Sequence, residues 1–483
     1  MRRLLLLLAL TLPAAAQLPP DADAYIERAR TTWEVPGIAV TVVRDGKVVA
    51  AKGYGVRRLG SAERVDENTM FDIASLSKSF TAAAIATLVD EGKMRWDDPV
   101  RRWLPYVEFG DSYRTANVTI RDLLSHRVGV EAGNWMFRIT GYSTEEVLRR
   151  MKFLKERDPF RTSMLYSNVG YTAAGEAAAA AAKMPFVDLV RTRLLEPLGM
   201  RDSTVGVEHT LAPNHVSPHE RIDGVLQPIR NKKAMNILPA NAVNSTAKDL
   251  ARWLLFSLGD GSWEGKRIVS PESMREMQSP QNIIATTPQM RAARNVNFFA
   301  AYGLGWQVMD YRGHSMLWHS GNADGMPVYM CILPVEKIGV AVMLNSAEAQ
   351  VLHGTIAARI LDSLLGLPPQ ELPPPPNVTI PPDPPRQLGT SPSRPLAAYA
   401  GTYNDPLYGD LTITESDGKL VLQFARGEKA DLTHWQYDTF RVRWHDRAYE
   451  WADSLAAFGL DATGTPRRVE LKLYRDTVDA VRK

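Results

Sequence analysis

The chain has 483 residues, about two to three times the usual length of one domain, so more than one core is expected. Hydrophobic residues make up 45% and charged residues 23%, ordinary globular usage that excludes a mostly disordered chain, a collagen-like chain or a coiled coil. The 57 basic and 54 acidic side chains leave a net charge of +3, which does not advertise nucleic acid. The single cysteine, Cys331, excludes an intramolecular disulfide and a cysteine-rich zinc site.

The first residues read as an export leader. Arg2 and Arg3 form a positive start, Leu4 to Leu12 an apolar stretch, and Ala14 to Ala16 a small-residue cleavage site before Gln17. Nine apolar residues span only about 14 Å of helix, under half of a bilayer core, so a membrane anchor is disfavoured. No later segment is apolar for long enough to cross a membrane. Residues 1–16 are therefore expected to be removed, leaving a soluble chain with no membrane span. Export without disulfides fits a bacterial periplasm or secretion.

The mature chain divides at a proline-rich run, with twelve prolines in the 28 residues from Pro368 to Pro395. Such a run can neither continue a helix nor supply ladder hydrogen bonds. It reads as a linker, residues 368–395, between a body, residues 17–367, and a module, residues 396–483. The body opens with two β-branched runs around Asp45-Gly46, a hairpin signal. Helical patterns follow, among them Thr81 to Val89 before Gly92 and Tyr171 to Lys183. Four short apolar runs then read as strands: Gly303 to Met309, Met316 to His319, Met326 to Leu333 and Ile338 to Leu344. The simplest assembly is α+β, one antiparallel sheet built from both ends of the body, flanked by helices and interrupted by a helical insertion. Beyond the linker, alternation at Leu411 to Thr414 and Leu420 to Phe424, with runs at Thr439 to Trp444, Ala448 to Trp451 and Val469 to Leu473, predicts a small all-β barrel.

Ser75 and Lys78, three residues apart at the start of a helix, lie on one face about 5–6 Å apart at Cβ. A serine hydroxyl needs an adjacent base to become a nucleophile, and a buried lysine can lose its proton readily enough to serve. The spacing alone is weak, because Ser245 and Lys248 repeat it where Ser245 or Thr246 reads better as a helix N-cap. Tyr166-Ser167-Asn168 is more selective, since Tyr166 alone of sixteen tyrosines has an asparagine two residues on. A tyrosine near a lysine can relay a proton and an asparagine can hold a substrate carbonyl, although a surface turn would also use these residues. His319-Ser320-Gly321 is likewise selective, because His319 alone of nine histidines has glycine at that offset. A glycine there permits close approach to the strand edge, though a polar strand end is the plainer reading.

These three elements occur in the order and at the spacings of a known constellation. The chain resembles the serine hydrolases of the class C β-lactamase and penicillin-binding-protein superfamily, over roughly residues 20 to 366. Leu123 to Gly129, Glu196 to Met200 and Tyr302 to Trp306 look like further landmarks of that family, and the module resembles the lipocalin-like barrel some members carry. The resemblance implies a class C β-lactamase-like fold with Ser75 as the acylated nucleophile and Lys78 and Tyr166 sharing proton transfer. Asn168 would orient the acyl group, and the backbone amides of Ser75 and Asn322, beyond Ser320 and Gly321, would form an oxyanion hole. His319 would stand where Lys-Thr-Gly members have lysine, and no Lys-Thr-Gly occurs in the chain. An imidazole, often neutral near pH 7, supplies less positive field, and because members with a histidine here tend to be esterases, D-amino-acid amidases and peptidases, the resemblance implies esters, amides or D-residue peptides over a dedicated β-lactamase role. The expected substrate is a small ester, peptide or β-lactam, and no metal or cofactor is required. A weak β-lactamase, a cell-wall carboxypeptidase and a penicillin-binding sensor that stays acylated remain alternatives. The module is either a rigid appendage or a wall of the pocket. Trp135 either lines the cleft or belongs to a satellite core.

Overall fold

The computed structural model describes residues 18–288, 299–375, 385–447, 449, 454–473 and 476–483. The expected leader, residues 1–16, lies outside them, as does part of the proline-rich run, residues 376–384.

Eight antiparallel strands form the sheet of the body, in the order Asn282–Ile283, Ala300–Tyr302, Gln307–Tyr311, His314–Ala323, Met326–Leu333, Ile338–Leu344, Gly37–Arg44 and Lys47–Gly55. The two ends of the body meet within it, Ile38 facing Leu344 and Arg44 facing Ile338. Ile338–Leu344 is buried along its whole length because both faces are covered. Ile338, Val340, Val342 and Leu344 enter the core beneath the helices Ala22–Thr32 and Leu352–Leu365. Ala341 and Met343, with the opposite parity, enter the larger core on the other side. That side carries the helical insertion, centred on the helices Ser77–Asp90 and Asn168–Ala182.

One expected strand is divided. Residues 303–306 form a turn between Ala300–Tyr302 and Gln307–Tyr311, not the start of a strand running from Gly303 to Met309. Gly305 has φ +82°, and a Cβ there would stand 2.6 Å from the carbonyl oxygen of Lys78. Tertiary approach to the helix Ser77–Asp90 thus dictates the turn. Conversely, His314–Ala323 outruns the expected Met316 to His319. Its neighbour ends where Gln307 meets Trp318, so residues 319–323 pair in the sheet only with Met326–Leu333. Their other edge faces the turn that carries Ser75.

The C-terminal module is a closed barrel of eight strands. Tyr403 facing Arg482 and Asn404 facing Val481 join the first strand to the last. The strands Gly401–Asp405, Lys429–Gln436, Ser454–Leu460 and Asp476–Arg482 were not singled out by the apolar pattern. In Lys429–Gln436 the inward residues Ala430 and Leu432 are diluted by charged and polar outward ones, and the strand bulges near His434. Of the expected run Ala448 to Trp451, only Tyr449 lies among the described residues.

Trp135 joins the two bodies. Its indole nitrogen donates to the Leu473 carbonyl at 2.9 Å, its amide to Asp476 at 3.2 Å, and its ring stacks on Trp444 with centroids 6.0 Å apart. Arg426 of the barrel reaches back to the carbonyls of Phe137 and Arg138 at 3.2 and 3.3 Å. The apolar core runs on from the body into the barrel across this joint.

Candidate active site

Ser75 sits in a single 3-10 turn, Ala74–Leu76, that leads directly into the buried helix Ser77–Asp90. Ala74 holds φ +45°, a strained value for a residue with a side chain. Asp72 secures it: one carboxylate oxygen accepts from the Ala74 amide at 2.9 Å, and the other accepts from Lys233 at 3.0 Å and Asn231 at 3.1 Å. Lys233 also donates to Asn244 at 2.9 Å, and Asp72, Lys233 and Asn244 are all buried. None of these residues was singled out in the sequence. The signal was present in Asp72, two residues before Ala74, an Asx-turn placement.

Lys78 is fully buried, and its Nζ lies 3.2 Å from Ser75 Oγ, 2.7 Å from Asn168 Oδ1 and 3.1 Å from the Ala240 carbonyl. Among the described residues no carboxylate pairs with it. Burial therefore holds the amine well below the ordinary lysine range. A neutral amine has two N–H bonds and one lone pair. With Asn168 and Ala240 taking the two N–H bonds, the lone pair is left for the Ser75 hydroxyl.

Tyr166 closes the cluster, its ring centre 4.8 Å from Lys78 Nζ. Burial holds its phenol above the ordinary tyrosine range, against a smaller opposing hydrogen bond with Ser75. The hydroxyl keeps its proton and can donate it. Asn168 is the first residue of its helix, N-capped by Ser167, and its amide nitrogen lies 3.3 Å from Asn134 Oδ1. The sheet and the insertion thus bring Ser75, Lys78, Tyr166 and Asn168 into one cluster.

His319 lies behind this group. It is 2% exposed, its Nδ1 is 2.6 Å from the Ser320 carbonyl, and its Nε2 is 2.8 Å from the Tyr302 hydroxyl. A carbonyl only accepts, so Nδ1 carries the proton and Nε2 accepts from Tyr302. Burial, with Lys78 second, pushes the imidazole down to about 3. It is neutral, and its field on Tyr166 is that of a dipole. Ser320 alternates to the other face of the strand. At Gly321 a Cβ would lie 2.4 Å from the Ile73 carbonyl and 3.0 Å from the Ser75 amide. What approaches the glycine is therefore the Ser75 turn itself. Asn322, one residue on, is exposed and lines the cavity in front of Ser75.

That cavity is shared between the two bodies, with Ser75, Asn168, Phe137 and Asn322 from the body and Arg426 and Tyr449 from the barrel. Its charges are matched: Arg138 with Asp324 at 3.2 Å, Lys233 with Asp72, and Lys232 with Asp446 of the barrel. The described residues include no cluster of three His, Cys, Asp or Glu able to hold a metal, and no helix long and apolar enough to cross a membrane.

Other occurrences of the spacing lie elsewhere. Thr246, not Ser245, caps its helix by accepting from the Asp249 amide. Ser245 Oγ pairs with Ser203 Oγ at 2.9 Å, and Lys248 points to Asn68 and Asp202. Ser416 and Lys419 flank an exposed hairpin of the barrel. Lys337, which has Gly339 two residues on, lies at a turn beside Asp45.

An antiparallel sheet with this insertion, carrying a Ser–Lys–Tyr cluster where one helix begins, defines the class C β-lactamase and penicillin-binding-protein fold. The chain belongs to the Beta-lactamase family, which it matches over residues 22–364, and residues 385–481 match a domain of unknown function, DUF3471. It is 28% identical over 454 residues to unguisins hydrolase ungD of Aspergillus violaceofuscus, covering 83% of this chain and 78% of that one. It is 24% identical over 338 residues to protein flp of Staphylococcus aureus strain MW2, covering 67% and 62%. Among solved structures, the octameric penicillin-binding protein homologue from Pyrococcus abyssi superposes with a TM-score of 0.63 at 22% identity, over 95% of this chain and 99% of that one. SurE follows with a TM-score of 0.59 at 20% identity, over 96% and 98%.

Proposed function

We propose that the chain is an exported serine hydrolase that cleaves ester or amide bonds, peptides with D-residues among them, through an acyl ester on Ser75. The observation that carries this is the environment of Lys78: a buried amine with two positions taken by carbonyl oxygens and the third on Ser75 Oγ. As Ser75 Oγ bonds to the substrate carbonyl carbon, its proton passes to the Lys78 lone pair. The amides of Ser75, just before the helix Ser77–Asp90, and of Asn322, on the strand His314–Ala323, receive the negative charge on the carbonyl oxygen. Tyr166 protonates the leaving group as its bond to carbon breaks, and is reprotonated from Lys78. Water then attacks the ester, giving a proton to Lys78, which passes it to Ser75 Oγ as the acyl–oxygen bond breaks, releasing the acid and restoring the serine hydroxyl and the neutral amine.

The family match and a relative named as a hydrolase support the reaction class. The neutral His319 supports substrates that need no extra cation near Tyr166. D-residue peptides draw support from a neighbouring structure of SurE with D-Leu. Export rests on residues 1–16 of the sequence.

Intact-mass spectrometry tests the proposal. The mature protein and its Ser75→Ala form are exposed to a p-nitrophenyl ester and, separately, to a penicillin. A transient adduct confined to the serine protein, with continuing ester turnover and little penicillin reaction, is expected. A persistent penicillin adduct without ester turnover would overturn it in favour of a penicillin-binding sensor or carboxypeptidase.

A further inference from the structure

The segment Leu123 to Gly129 has no part in the chemistry so far, yet its histidine is built into the site. The helix Ile120–Leu124 ends with the Arg127 amide on the Asp122 carbonyl at 3.1 Å and the His126 amide on the Leu123 carbonyl at 3.4 Å. His126 thereby takes the position after the helix where glycine is usual, at φ +58°. A side chain in left-handed backbone is strained and persists where the surrounding structure uses it.

The use is visible on both sides of Tyr166. The Leu165 amide donates to the His126 carbonyl at 2.9 Å, and the Ser167 amide donates to His126 Nδ1 at 3.1 Å. The imidazole, 1% exposed, lies against the Tyr166 ring with centroids 4.4 Å apart. Tyr171 and Tyr302 enclose its remaining faces, at 5.0 and 4.6 Å. One residue holds the backbone before and after the tyrosine and backs its ring.

We propose that His126 is a positioning residue for Tyr166, its unprotonated Nδ1 and its carbonyl clamping residues 165–167 so that the phenol stays on Ser75 and Lys78. This rests on the acyl-serine reading given above. Nδ1 must accept, so the proton sits on Nε2. Burial first, and the nearby Lys78 and His319 second, hold the ring well below the ordinary histidine range and so keep it neutral.

The test compares His126→Leu with His126→Asn in the full mature chain on p-nitrophenyl butyrate. Asparagine tolerates left-handed backbone and can place its Oδ1 where Nδ1 stands, whereas leucine fills the space without an acceptor. His126→Leu is expected to lower kcat about 30- to 100-fold with KM changed less than about 3-fold, because a small displacement of a reacting group has effects of that order. His126→Asn is expected to recover kcat to within about 5-fold of the parent. Equal activity of His126→Leu and parent, or equal loss in both folded variants, would overturn the clamp.

If neither variant folds, histidine ring nitrogen-15 NMR of the unaltered protein decides. An Nε2–H tautomer at His126 supports the clamp and an Nδ1–H tautomer removes it. Absence of any Ser75 adduct in the parent would instead count against the acyl-serine reading, and the tautomer would still judge the clamp.

Discussion

Trp135 of the body and Trp444 of the barrel stack with their planes 9° apart, and the same Trp135 donates both its N–H groups to barrel residues. The contact fastens the wall of the cavity that contains Arg426 and Tyr449. Trp135→Ala removes a buried indole, a loss of about 3–5 kcal/mol in a packed core. We expect a lower denaturant midpoint and a rise in KM for bulky peptide esters that exceeds the rise for p-nitrophenyl acetate. Deleting residues 368–483 should exaggerate the same split. A folded truncation with unchanged preference would reduce the barrel to an appendage.

The pH profile should report Lys78. Only the neutral amine can take the Ser75 proton, so kcat/KM should be full above the lysine's folded pKa and fall as pH drops through it. Because burial lowers that pKa, the limb lies below the ordinary lysine range. His319, already neutral, should add no limb of its own between about pH 5 and 8. A profile that instead rises only near the ordinary lysine range would contradict the burial argument.

Gly321→Ala places a methyl group 2.4 Å from the Ile73 carbonyl. Backbone cannot yield as a flexible side chain does, so the Ser75 turn must shift. We expect kcat/KM to fall about 100-fold or more, since misplacement of about 1 Å has that effect. Retained circular dichroism with lost burst-phase acylation is the signature to look for.

Asp72→Ala removes the acceptor of the Ala74 amide and leaves Lys233 buried without its carboxylate. Breaking a buried ion pair from one side destabilises by about 3–5 kcal/mol. Adding Lys233→Met should restore much of the stability by removing the stranded charge, without restoring activity, because the turn before Ser75 still lacks its anchor. Thermal melts and ester turnover on the two variants separate these effects.

Thr246→Ala should lower stability by about 1 kcal/mol through the lost helix cap. Ser245→Ala removes one buried hydroxyl pair, with a similar loss of about 1 kcal/mol. Both should leave ester turnover intact, as measured on protein below its melting transition. Loss of turnover in either would contradict the assignment of that segment to structure.

The sequence by itself determined what depends on near neighbours in the chain. The hairpin at Asp45-Gly46 and the strands Met326–Leu333 and Ile338–Leu344 follow from turn chemistry and apolar runs. The proline run excludes helix and ladder, and the motif around Ser75 and Lys78 is a matter of helical spacing. The strand Lys429–Gln436 escaped because its inward residues are interleaved with charged ones, a pattern that acquires meaning only when the barrel closes. The tertiary structure alone decided the electrostatics. Among the described residues Lys78 meets no carboxylate, its partners being Asn168 and the Ala240 carbonyl far along the chain, and His319 is made neutral first by burial and then by the nearby Lys78. Tyr166 is held by His126, and the pocket is completed by Arg426, nearly 290 residues from the Arg138 carbonyl it contacts. Burial and long-range hydrogen bonds set protonation, and neither is encoded in the identity of adjacent residues.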